Sequence, residues 1–263
     1  MNKTGIKWTH KTWNPVTGCQ KVSSGCKYCY ANALADRLFP NKFKLTLHPE
    51  RLIQPTHLKV PQRIFVNSMS DVFWAAVPED FVDLIFDVME STPHLTYQIL
   101  TKRPHRMLAY SRKRPFAHNI WAGVTVECQD VAGRLDILRA VETAGNRFVS
   151  AEPLLSPLAV DWTGIDWVIT GGESGDHLLD PAIRAARGLV DLNGNKWTPR
   201  ASRIDWVRQI RDDVKASGGA FFHKQWGGIT NNVAGNLLDG RIWEEFPPDR
   251  VGPAPTPVVT ACP

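Results

Sequence analysis

The sequence predicts an α/β fold, a full or partial parallel β/α barrel, on three observations. Short apolar, β-rich runs alternate with amphipathic helical patterns along most of the 263 residues. The runs are apolar enough to be strands covered on both faces, the signature of a parallel sheet. Nearly every run ends in polar or charged residues, which the shared rim of a barrel gathers and an open sheet scatters along its edge.

The expected strands cover 63–67, 96–100, 120–126, 147–150, 166–170 and 220–224. Between them, 78–92 opens with Pro78, Glu79 and Asp80, suited to a first helical turn, and sets Phe81, Leu84, Ile85, Val88 and Met89 on one stripe. The stretch 129–144 repeats this more weakly through Val131, Leu135 and Leu138. A third helix is expected over 203–217, with Ile204, Val207, Ile210 and Val214 inward and Gly218 and Gly219 to end it. The stretch 177–202 breaks the alternation and reads as an insertion or lid. Residues 1–246 are thus expected to form one domain, and the Pro/Gly-rich 247–263 a disordered tail.

Lys and Arg outnumber Asp and Glu by 31 to 26, and the net charge of +5 admits a polyanionic partner without requiring one. Between 101 and 115 stand Lys102, Arg103, Arg106, Arg112, Lys113 and Arg114 with no acid. A second concentration comprises Lys196, Arg200, Arg203, Arg208 and Arg211. Either stretch suits a solvated helix face or a track for phosphates. No run approaches the roughly 18 apolar residues of a membrane helix, and the start lacks a secretory apolar run; the expected compartment is cytoplasmic, with no membrane partner.

Of five cysteines, Cys19, Cys26 and Cys29 crowd into eleven residues. In a reducing compartment such a cluster points to a metal rather than to disulfides. Cys26 and Cys29 have the spacing to share one ion or cluster, and Cys19 can fold back as a third ligand. Three readings compete: zinc closed by a histidine such as His10, unrelated core cysteines, and an iron–sulfur cluster with one open iron.

The residues Cys26-Lys27-Tyr28-Cys29 resemble the end of the radical S-adenosylmethionine (SAM) signature, although six residues rather than three separate Cys19 from Cys26. Together with Asn14-Pro15-Val16-Thr17-Gly18-Cys19, Asn67-Ser68-Met69-Ser70-Asp71, Leu100-Thr101-Lys102-Arg103, Glu152-Pro153-Leu154, Gly171-Gly172-Glu173 and Lys224-Gln225-Trp226, they resemble the three-Cys-motif, radical-SAM-like family of phages and bacterial genomes. The resemblance implies a radical-SAM-type barrel, a 4Fe–4S cluster on Cys19, Cys26 and Cys29, and SAM as cofactor. It implies a low-potential electron donor such as flavodoxin or ferredoxin, and Tyr28 lying against the adenine of SAM. It settles no substrate; the basic stretches and ten tryptophans favour a nucleic acid or nucleotide, modified or repaired. The rival from another class is a non-catalytic, zinc-binding nucleic-acid-binding protein.

Rim groups are the candidates to hold the cofactor. Asn67, Ser68, Ser70 and Asp71 follow an early strand and suit contacts to the SAM amine, or helix capping. Gly171, Gly172 and Glu173 spell the amine-binding motif of radical-SAM enzymes but sit after a late strand, and read as a rim loop that admits a ligand closely. Glu127 and Glu152 suit ribose hydroxyls or the sulfonium. Thr101, Lys102, Lys224 and Gln225 complete the ring, and Trp226 is a candidate to stack on a base.

Overall fold

A computed structural model describes residues 1–38 and 41–250. Its centre is seven parallel strands: β1 (Lys11–Trp13), β2 (Arg63–Val66), β3 (Thr96–Thr101), β4 (Ile120–Thr125), β5 (Arg147–Ala151), β6 (Trp167–Gly171) and β7 (Ala220–Gln225). Each strand pairs with its predecessor in the chain, and a short antiparallel strand, Asn2–Lys3, adds to the β1 edge. A doubly wound sheet reverses strand order at a switch point; here the order never reverses. β1 and β7 stay at opposite ends of the sheet, so the barrel is partial and open.

Six helices join this frame: α1 (Tyr30–Leu38), α2 (Glu79–Glu90), α3 (Pro104–Lys113), α4 (Arg134–Arg139), α5 (Pro181–Arg187) and α6 (Ala201–Ala216). α2 forms as its first turn predicts, but it buries Phe81, Val82, Ile85, Phe86 and Met89 and leaves Leu84 exposed. The helix expected over 129–144 is shorter. A 3₁₀ turn, Gln129–Val131, precedes Gly133, and the Arg147 guanidinium takes the carbonyls of Leu138 and Val141 where further turns would go. Gly218, at φ +82°, ends the chain's passage through α6 in the left-handed conformation that glycine tolerates. The stretch 177–202 is structured: a 3₁₀ turn, α5, and a hairpin pairing Val190–Asn193 with Lys196–Pro199. Of the expected tail, residues 247–250 are docked, with Arg250 donating to Asp166 and Asn146. Residues 251–263 lie outside the described ones. No described helix is long and apolar enough to cross a membrane.

Strand pleating sorts side chains into two layers. Ile64, Val66, Tyr97, Ile99, Ala122, Val124, Val149 and Val168 join the larger core with the helices. The alternate positions Phe65, Trp121, Phe148, Trp167, Ile169 and Phe222 meet Trp8 in a separate aromatic cluster. Gly123 is required there, because a Cβ would lie 2.3 Å from the Phe148 ring. Two to six residues further along the same parity come Asn67, Lys102, Glu127, Glu152, Glu173 and Lys224. A period of two therefore carries each strand from an apolar floor to a charged rim.

His223 points the other way, fully buried, with Nδ1 2.9 Å from the Thr170 hydroxyl. Burial pushes its pKa down from 6.5 to about 3. Between these values the unfolded chain binds more protons than the folded one, so stability present above 6.5 is lost as pH falls toward 3. The loss is at most about 1.4 kcal/mol per pH unit. His223→Phe is expected to flatten the pH dependence of the thermal midpoint between about pH 7 and pH 4; an unaltered slope counts against the assignment.

Candidate active site

The three-cysteine loop runs from Gly18 to Cys29 across the rim, and residues from several elements hold it. Gly18, at φ +87°, passes so close to Lys44 that a Cβ would sit 2.1 Å from its carbonyl oxygen. Its own carbonyl accepts from Ser70 Oγ at 2.6 Å. Arg103, just after β3, donates to Cys19 Sγ at 3.6 Å and to the Gln20 carbonyl at 2.8 Å. Glu127, just after β4, accepts from Gly25 N at 3.3 Å, and Arg187 of α5 donates to the Ser24 carbonyl at 3.1 Å.

Cys19, Cys26 and Cys29 are free thiols, partly exposed, and all three line one cavity of about 460 Å³. Burial and the Asp71 carboxylate push the Cys19 thiol pKa up, more than Arg103 pulls it down. Burial also acts on Cys26, but the Lys102 ammonium and neighbouring main chain outweigh it and hold that thiol below the ordinary range.

Every carboxylate of the rim already has a cation. Asp71 pairs with Arg103 at 2.8 Å, Glu127 with Arg134 at 2.9 Å, Glu152 with Lys224, and Glu173 with Arg187 through two bonds of 2.6 Å. Burial resists ionisation of Glu127, yet Ser23, Arg134 and Lys102 hold its pKa low. The bidentate Glu173–Arg187 pair is geometrically demanding and fixes both partners.

The sequence-expected residues divide into two groups. Tyr28, Asn67, Ser68, Ser70, Asp71, Thr101, Lys102, Glu152, Gly172, Glu173, Lys224 and Gln225 line the cavity. Glu127 and Gly171 do not: Glu127 is wholly buried beneath Gly25, and Gly171 makes room for the Glu152 carboxyl, 3.1 Å from where its Cβ would be. Several cavity residues spend their polar atoms on the frame. Asn67, at φ +56°, accepts from Val16 N; Ser68 Oγ donates to Asn14; Asp71 accepts from Thr101 Oγ1, Phe73 N, Lys102 N and Arg103. Gly172 passes Trp226 so closely that a Cβ would lie 1.9 Å from its carbonyl oxygen, and Gln225 Nε2 donates to Gly172 O and Ser174 Oγ, each at 3.3 Å.

Two expectations are corrected. Trp226 is buried in the core with its indole N–H on the Leu237 carbonyl, so it offers no face for a base. His10 accepts from Arg63 N at 2.9 Å and lies off the cavity, so it does not complete a Cys3His site. Arg134, His177 and Arg187 carry weight that sequence reasoning missed. His177 stacks on Tyr28 with centroids 3.9 Å apart and lies 3.4 Å from Glu173, while Arg187 reaches over the same ring.

Among the described residues no three His, Cys, Asp or Glu side chains converge as ligands of one ion. A cubane distributes its thiolates over separate irons, so it needs no such convergence. Three free thiols facing one cavity, with the neighbouring carboxylates already paired, fit a cluster with one iron left without a protein ligand.

Fold and site together define the class: a partial β/α-barrel protein with a three-cysteine loop across the carboxyl ends of its strands. The chain belongs to the family described as Protein of unknown function (DUF5131), which matches residues 3–190 and 193–247. That match runs through 177–202 apart from 191 and 192. Among solved structures, the chain is similar to a spore photoproduct lyase mutant with bound AdoMet and dinucleoside spore photoproduct. Identity is 10% and the TM-score 0.50, over 81% of this chain and 75% of that one. It is also similar to spore photoproduct lyase complexed with dinucleoside spore photoproduct, at 11% identity and a TM-score of 0.48, over 79% and 74%. At these identities the likeness is one of fold. No curated protein matches the chain.

Proposed function

We propose that this protein is a radical SAM enzyme whose 4Fe–4S cluster is held by Cys19, Cys26 and Cys29, and which modifies or repairs a nucleic acid or nucleotide. The observation that carries this reading is the cavity itself: three free thiols on one wall, and rim carboxylates already neutralised, so that the fourth iron is left for SAM. The AdoMet and dinucleoside bound in a lyase of the same fold support it.

When bound and reduced by a donor such as flavodoxin or ferredoxin, the cluster would supply an electron that splits SAM and yields a 5′-deoxyadenosyl radical for hydrogen abstraction. The chain's own residues bind and orient. Tyr28, held flat by His177, makes a fixed wall for an adenine. The Glu152–Lys224 pair faces the cavity with an acceptor and a donor suited to ribose hydroxyls. Ser174 offers a hydroxyl at the cavity, while Thr101 holds Asp71 and Gln225 holds the Gly172 loop in place. Asn67, Ser70, Asp71 and Glu127 position the cysteine loop, and Arg187 ties α5 to it on the outer side.

Anaerobic reconstitution tests the proposal. The expected product is a brown protein with about four irons and four sulfides per chain, which releases 5′-deoxyadenosine and methionine from SAM after dithionite. A colourless protein holding one zinc and leaving SAM intact would overturn it in favour of the zinc-binding alternative.

A further inference from the structure

The two basic stretches part company in the structure. Around α6 each arginine is answered nearby: Arg200 by Asp191, Arg208 and Arg211 by Asp239, and Arg203 by the carbonyls of Ala185 and Gly188. At the far end of α3, Lys113 meets Glu79 and Arg114 meets Asp87 and Glu90. Most of these cations thus have a carboxylate partner, although Arg203 has carbonyls only, and Lys196 and Arg112 enter no ion pair among the described residues.

The near end of α3 differs. Lys102, Arg103, His105, Arg106 and Arg134 line a second, open cavity of about 600 Å³, with Asp130 the one carboxylate among its lining residues and Phe73, Val131 and Ile137 as apolar walls. Asp71 and Glu127 answer Arg103 and Arg134 from behind. Arg106 spends two N–H groups on the carbonyls of Trp74 and Val77, which leaves its charge without a carboxylate. The Lys102 ammonium enters no ion pair among the described residues, and its charge is felt by Cys26 and Glu127. The first turn of α3 opens on the same space through Pro104, His105 and Arg106, adding the positive end of the helix. Lys102 and Arg103 line both cavities, so the two spaces share a wall.

We propose that this second cavity binds a phosphate of the substrate, so that the attached sugar or base reaches the cysteine cavity past Lys102. The inference rests on the substrate class proposed above and assigns it an anchoring point. Cations beside apolar walls suit a phosphate joined to a nucleoside better than a free inorganic anion, because the walls take the sugar or base edge.

Binding by reconstituted protein tests it, with a fluorescein-labelled single-stranded DNA of about eight nucleotides and the same strand with neutral methylphosphonate links. The charged strand is expected to bind at least about tenfold tighter, with log affinity falling against log salt by about 0.7 per phosphate engaged. His105→Glu, at an exposed position, and Lys102→Gln are each expected to weaken the charged strand about tenfold and spare the neutral one. Competition by AMP, and not adenosine, as strong as by the strand assigns the phosphate to a mononucleotide; competition by the strand alone assigns it to a phosphodiester backbone. Equal affinity for charged and neutral strands overturns the proposal, as do variants that keep the preference intact. SAM cleavage by the unaltered protein without nucleic acid reports separately on the radical reading. Its absence, with phosphate-dependent binding retained, removes that reading and leaves the phosphate site standing.

Discussion

Replacing Cys26 by alanine is expected to abolish the proposed cluster assembly and to lower SAM cleavage by more than about a hundredfold, while the thermal midpoint of the metal-free protein moves by less than about 2 °C. Its thiol lies in a partly exposed loop and packs in no core cluster, so its loss removes a ligand and little else. Cys128→Ala is the contrasting variant. That sulfur lies 3.7 Å from Ser24 Oγ, close to the loop but outside the cavity lining, and its removal is expected to leave iron content unchanged. Iron and sulfide assays on the two variants, with 5′-deoxyadenosine measured by chromatography, decide the point. Full iron in Cys26→Ala would remove the ligand assignment.

Asp71→Ala is expected to be the most damaging single change to the rim. The carboxylate is buried and accepts from Thr101, Phe73 N, Lys102 N and Arg103, so its loss leaves a partly buried guanidinium and several donors unanswered. Breaking such a pair costs about 3–5 kcal/mol, or about 10 °C in the thermal midpoint of a chain this size. Arg103 also loses its anchor beside Cys19, so iron content should fall in the fraction that still folds. Asp71→Asn keeps an acceptor and should lose less. A melt unaffected by Asp71→Ala would show that the rim does not depend on this group.

Much of the frame was legible because its signals are local. Six of the seven strands lie within a residue or two of the apolar runs, and α2 and α6 begin and end where Pro78 and Gly218 place them. β1 is three residues long and α1 buries little beyond Ala31 and Ala35, so neither carries a periodic apolar signal. α3 is missed because its stripe is diluted by cations whose partners, Asp83, Asp87 and Glu90, belong to another helix. The hairpin in 177–202 had a cue in Asn193-Gly194, which the prolines and polar residues around it obscured.

The site divides the same way. Cysteine spacing and strand-end polarity are sequence properties, and they pointed to the three-cysteine loop and to nearly half of the residues that line the cavity. Which carboxylate faces the cavity and which props the loop is decided across the sheet. Glu127 and Glu152 look alike in sequence, yet one meets Arg134 under Gly25 and the other meets Lys224 at the opening. Arg187 and His177 were invisible for the same reason, since Arg187 meets Glu173 fourteen residues away and Ser24 much farther off, and His177 stacks on the distant Tyr28.

The aromatic layer of Trp8, Phe65, Trp121, Phe148, Trp167 and Phe222 closes the half-barrel below the polar ring. Trp8 and Phe65 of this layer also line the cysteine cavity, so its floor is apolar where its rim is charged. Under the nucleic-acid reading proposed above, a base turned out of its stack would meet this apolar floor, as in enzymes acting on single bases.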